Sequence, residues 1–159
     1  MAANIYPPFN SSSDNYSLWT NTGEYYLTQP IYRKSSQYGE MFNSITQIIG
    51  TYVYSIYVKS SVTNMKVYCN MDASDMADYT ITSADCNGAI GITISANQRT
   101  ASFTLPNANQ WYRISAVFTL NSDATLKPFT TRSSSDGYTY VTCPMLETGE
   151  ILHDFVPYG

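Results

Sequence analysis

The feature that most constrains this chain is strict alternation of apolar and polar residues in short runs. The runs recur about every ten residues with polar turns between them, a spacing that predicts a sandwich or barrel of antiparallel strands. Successive side chains of a strand point to opposite faces, so each alternating run sorts itself into an inward and an outward set. In Thr51 to Ser60 the inward set is Tyr52, Tyr54, Ile56 and Val58, and the outward set is Val53, Ser55, Tyr57 and Lys59. Trp111 to Leu120 divides as cleanly. Tyr112, Ile114, Ala116, Phe118 and Leu120 face the core; Trp111, Arg113, Ser115, Val117 and Thr119 face outward.

Further strand candidates are Glu24 to Arg33, Met41 to Ile49 and Asn64 to Met71. Pro30 interrupts the first and argues for an edge or a bulge. Ile90 to Ser95 and Thr100 to Leu105 read as a hairpin. Ala124 to Arg132 and Tyr138 to Glu147 read as long strands joined through SSSDG, whose Asp136-Gly137 pair favours a tight hairpin turn. Asp72 to Gly88 carries few strand signals and reads as a loop. Residues 1–15, rich in Pro, Ser and Asn, read as an irregular arm, and 16–159 as one all-β domain, a two-sheet antiparallel sandwich. The tail from Ile151 to Tyr158 is apolar enough to pack back onto it.

Only 13% of residues are charged, against about 25% in typical domains, so the surface must be polar without charge. The 19 Ser, 18 Thr, 12 Asn and 15 Tyr supply it. Hydroxyls and amides beside aromatic rings suit a neutral partner such as sugar, although Thr and Tyr are also good strand residues. Net charge is -4, and the eight Lys and Arg are spread singly, a poor match to nucleic acid. No apolar run of about 18 residues exists to span a membrane as a helix. The opening MAANIYPPFN lacks the charged and apolar regions of a secretory leader, so synthesis in a cytoplasm without export by that route is the expectation. Cys69, Cys86 and Cys143 are odd in number and widely spaced, which predicts buried free thiols and no zinc site.

Catalytic chemistry finds little footing. His153 is the only histidine, lies in the tail, and has no GxSxG or Cys–His arrangement around it. Sugar hydrolysis needs two facing carboxylates, for which Glu24, Glu147 and Glu150 are the strand-end candidates. Asp72, Asp75 and Asp78 recur every third residue but lack EF-hand spacing and read as a solvated acidic loop. No metal or cofactor is expected. The strongest signal is aromatic: Tyr57, Trp111 and Trp19, with Lys59 and Arg113, combine flat rings with polar groups as small-ligand sites do. The competing readings are a protein interface and rings packed under a loop.

Three segments together resemble a known pattern: GTYVYSIYVKSS (Gly50 to Ser61), WYRISAVFTL (Trp111 to Leu120) and LKPFTTRSSSDGYTYVTCPMLETGEILHDFVPYG (Leu126 to Gly159). Their order resembles the carbohydrate-binding-module jelly rolls of bacteriophage tail and baseplate proteins. The most specific part is a last strand closing in L-E-x-G before an F-x-P tail, here Leu146, Glu147, Gly149, Phe155 and Pro157. The resemblance implies a non-catalytic jelly roll on a virion that grips host-surface polysaccharide beside other virion proteins, with no nucleic acid or membrane partner. Tyr57, Trp111 and Arg113 sit in matched segments. Related enzyme-linked modules hold calcium through an acidic residue of the last strand, where this chain has Thr142 and Cys143. The alternatives are a structural or oligomerisation domain of the same particle and a fragment of a polysaccharide-degrading enzyme.

Overall fold

A computed structural model describes residues 3–35, 39–71, 79–132 and 136–159. Among these, regular structure is a short 3-10 turn at Tyr16–Leu18 and twelve strands. They are β1 (Thr20–Tyr26), β2 (Gln29–Lys34), β3 (Ile45–Gln47), β4 (Gly50–Ser60), β5 (Met65–Asn70), β6 (Tyr79–Asp85), β7 (Ile90–Ile94), β8 (Thr100–Leu105), β9 (Tyr112–Leu120), β10 (Ala124–Leu126), β11 (Phe129–Arg132) and β12 (Thr139–Thr148). Six form one sheet in the order β1-β2-β12-β4-β9-β6, and four form a second, β11-β5-β8-β7. β10 and β3 make a small ribbon, and every pairing is antiparallel. The all-β antiparallel sandwich expected from alternation is what the chain forms.

The inward sets are buried as their parity requires. Tyr52, Tyr54, Ile56 and Val58 of β4 and Ile114, Ala116, Phe118 and Leu120 of β9 meet Met65, Val67 and Cys69 of β5 and Phe103 and Leu105 of β8. Phe118 stacks on Tyr52 at 5.7 Å between centroids and stands edge-on to Tyr79 at 6.4 Å. All three cysteines are free and buried. The N-terminal segment adds Tyr6 and Phe9 to the core and is tied to β12, since the Ile5 N–H donates to the Leu146 carbonyl at 2.9 Å.

Five stretches depart from the sequence reading. Glu24 to Arg33 is a hairpin rather than one strand: the chain reverses at Leu27 and Thr28, with φ of 48° and 69°. That left-handed pair is the backbone of a tight hairpin turn, normally signalled by Asn or Gly. Pro30 lies within β2 beyond the stretch, Tyr32 to Lys34, that pairs with β12. Ala124 to Arg132 is broken around Pro128, which cannot donate to a ladder, and its halves join different sheets. β11 and β12 likewise belong to different sheets, so the segment holding Asp136 and Gly137 crosses between them and is no hairpin turn. Within the expected loop Asp72 to Gly88, Tyr79–Asp85 forms the edge strand β6, burying Tyr79 and Ile81. Asp72, Asp75 and Asp78 lie outside the described residues. Of Met41 to Ile49 only Ile45–Gln47 is strand.

Candidate functional site

The outward sets of β4, β9 and β12 share the outer face of the six-stranded sheet, and register decides which residues meet. Tyr57 lies opposite Arg113, and Tyr140 lies opposite both Lys59 on one side and Arg33 on the other. The Lys59 ammonium sits 4.9 Å from the Trp111 ring centroid and 4.5 Å from that of Tyr140. The Arg33 guanidinium lies 4.7 Å from the Tyr138 ring. One cross-strand row therefore alternates cation and ring: Arg33, Tyr140, Lys59, Trp111. Tyr26, brought over by the turn at Leu27 and Thr28, stacks on Trp111 at 5.1 Å and meets Tyr57 edge-on at 5.1 Å. A bulge in β12 between Thr142 and Met145 holds this corner, with the Cys143 thiol donating to the Tyr26 carbonyl at 3.4 Å.

Arg113 links this shelf to the C-terminal tail. Its guanidinium lies 5.7 Å from the Tyr57 ring and donates to the His153 carbonyl at 2.7 Å and to Ser55 Oγ at 3.0 Å. His153 is held in turn by Glu147, which is 3% exposed. The Glu147 carboxylate accepts the His153 backbone N–H at 3.2 Å and contacts His153 Nδ1 at 2.7 Å. Gly149, at φ +96°, donates its N–H to the Thr51 carbonyl at 2.8 Å and starts the tail back across the sheet. The L-E-x-G signature is thus a tail anchor. Val53 and Ser55, expected on the open face, are buried: Ser55 lies under Arg113, which the His153 carbonyl holds, and Val53 shares a cleft wall with Leu152 of the tail. Tyr57 keeps its phenol proton more firmly than a free tyrosine because burial disfavours the phenolate, an effect that nearby Arg113 partly offsets.

Past the tail, at the β6 side, a cleft of about 210 Å³ opens on the same face. Val53, Val117 and Leu152 give it apolar walls, and Asp85, Glu150 and Ser83 give it polar groups.

Four of the five residues singled out in the sequence, Tyr57, Lys59, Trp111 and Arg113, gather on one shelf. Trp19 does not join them: it packs against the core cluster and its indole N–H donates to the Gly39 carbonyl at 2.9 Å. Sequence reasoning missed Tyr26, Arg33, Tyr138 and Tyr140. Tyr138 and Tyr140 alternate with buried Val141 and were legible from parity; Tyr26 was hidden by reading its hairpin as one strand. Among the described residues no group of three metal-ligating side chains occurs, and no helix is long and apolar enough to cross a membrane.

No protein-family model matches the sequence, and a search of curated proteins finds no match. Among solved structures, the chain is similar to a candidate sugar-binding protein from Bacteroides thetaiotaomicron, with TM-score 0.54 and 13% identity over 92% of this chain and 89% of that one. It is also similar to part of the CBM22-1–GH10 modules of endo-1,4-β-D-xylanase 10B from Clostridium thermocellum, solved with xylohexaose. There the TM-score is 0.52 and the identity 12%, covering 96% of this chain and 28% of that chain. A weaker likeness, TM-score 0.43 and 14% identity, is to the baseplate tripod of bacteriophage Tuc2009, covering 97% of this chain and 60% of that one. At these identities the likeness is one of fold.

Proposed function

We propose that this chain is a non-catalytic carbohydrate-binding module, a jelly roll carried on a phage tail or baseplate, that recognises saccharide on the host surface. The observation that carries the reading is the shelf itself, where Tyr26, Tyr57, Trp111 and Tyr140 stand with two cations on one outer sheet face. Flat rings take up the apolar faces of pyranoses, and the side chains between them fix hydroxyls. Trp111 and Tyr57 are half-buried, so each keeps some open surface beside Tyr26. The fold likeness to a candidate sugar-binding protein and to modules solved with xylohexaose supports a saccharide as ligand. The phage setting rests on the three sequence segments, above all the tail that Glu147 anchors.

One feature favours a second reading. Asp85 and Glu150 both line the cleft, and a glycosidase needs two carboxylates around its bond. Both are exposed, however, on the rim of an open cleft and not enclosed around a bond to be cut. The test is an array of bacterial wall and capsule glycans probed with purified domain, followed by a reducing-end assay on every glycan retained. Binding without cleavage is the expected result; cleavage abolished by Asp85→Asn or Glu150→Gln would establish the hydrolase instead.

A further inference from the structure

We infer that the shelf recognises an acidic saccharide, one bearing carboxylate or phosphate groups, rather than a neutral one; this rests on the carbohydrate-binding reading above. The chain is acidic overall and holds only eight Lys and Arg, yet Arg33, Lys59 and Arg113 occupy one end of one sheet face. Among the described residues none of the three forms an ion pair with a carboxylate within 4.0 Å. Asp154, whose charge bears on Tyr57, forms no ion pair with them. The carboxylates Glu147, Asp85 and Glu150 collect toward the opposite end, beyond the Arg113–His153 contact. The face is therefore polarised, and the aromatic end is its cationic end.

The three cations are not equivalent. Arg113 commits donors to the tail carbonyl and to Ser55, which makes it a positioning residue. Arg33 and Lys59 are held over rings, contacts that leave their N–H groups free to meet an anion. They stand on β2 and β4, either side of β12, so their backbones are about 9–10 Å apart at ordinary strand spacing. One extended acidic polymer crossing the strands can therefore meet both cations, with a sugar ring against Tyr140 or Trp111. A neutral ligand would gain the rings but leave both charges unused.

The test is affinity electrophoresis and titration of the domain against hyaluronate and polygalacturonate for carboxylate, phosphomannan for phosphate, and mannan and dextran as neutral polymers. Variants are Lys59→Gln, Arg33→Gln, the double variant, the charge-preserving Lys59→Arg, and Lys66→Gln as an exposed control on the other sheet. Binding to either acidic class over the neutral polymers supports the inference, and the responding arm identifies the anion. At low ionic strength the double variant should lose about three- to tenfold in affinity, as two solvent-facing charge contacts allow. Raising salt from about 50 to about 500 mM should weaken wild type by a similar factor and the double variant hardly at all. Lys59→Arg should retain binding, and Lys66→Gln should match wild type. Equal or better binding of neutral polymer, unchanged in the double variant, overturns the acidic preference and leaves the carbohydrate reading standing. Binding to none of the polymers or array glycans overturns both.

Discussion

Phe118→Ala probes the packing on which the outer face depends. Phe118 lies near the end of β9, opposite Tyr52 of β4 and Ile81 of β6, and is fully buried. Truncation removes the ring that stacks on Tyr52 and meets Tyr79 edge-on, leaving a void walled by two rigid aromatics and two paired strands. Such walls collapse poorly, so the cost belongs near the middle of the usual range for buried Phe, about 4 kcal/mol. Against the roughly 5–15 kcal/mol that holds a domain folded, this is a large share, worth about 8–16 °C in melting temperature at this chain length. Urea unfolding measures it, with an unchanged m-value showing that the same surface is exposed. Val117→Ala, one residue along and half-buried on the opposite face, should cost under about 1 kcal/mol. A loss below about 1 kcal/mol for Phe118→Ala, or the reverse order of the two variants, refutes the assignment of faces.

The three thiols should react slowly with a thiol reagent in native protein and completely on unfolding, because burial pushes Cys69 up to about 12 and Cys86 and Cys143 to about 11; rapid native labelling would contradict it. The same shifts set an alkaline limit. Above about pH 9 the unfolded chain sheds thiol protons that the native state retains, so stability is full below pH 9 and falls toward pH 12. Cys69→Ala should flatten that slope in denaturant midpoints measured against pH, and a slope unchanged by the substitution would locate the loss elsewhere. Glu147→Gln weakens a charge-assisted anchor and should cost about 1–2 kcal/mol while raising protease sensitivity in the tail. A variant as stable and as protease-resistant as wild type would show that the tail is held by its other contacts.

Parity was legible in the sequence, and pairing was not. The alternation of β4 and β9 assigned both faces correctly, and with them Tyr57, Lys59, Trp111 and Arg113. It failed where the chain bends without the usual markers. Leu27 and Thr28 adopt left-handed backbone without Gly or Asn, so the hairpin that delivers Tyr26 was invisible. Pro128 was the visible break in the run that supplies two sheets, and its weight was underestimated. β6 is an edge strand with two buried residues and a register shift between Ile81 and Ser83, so its alternation is too short to stand out. Val53 and Ser55 are buried among Arg113 and tail residues brought from far along the chain, and no local pattern announces such long-range contacts. Trp19 shows the converse: a ring between Leu18 and Thr20 looks free for a ligand until its indole finds the Gly39 carbonyl.

The measurement closest to the central claim is calorimetric titration of the array-selected saccharide into wild type, Trp111→Ala and Tyr57→Ala, with a thermal melt of each. Loss of one stacking ring should weaken binding by about 1–3 kcal/mol, roughly tenfold or more in dissociation constant, with the melt remaining a single cooperative transition. Wild-type affinity in both variants would contradict the shelf as the binding site.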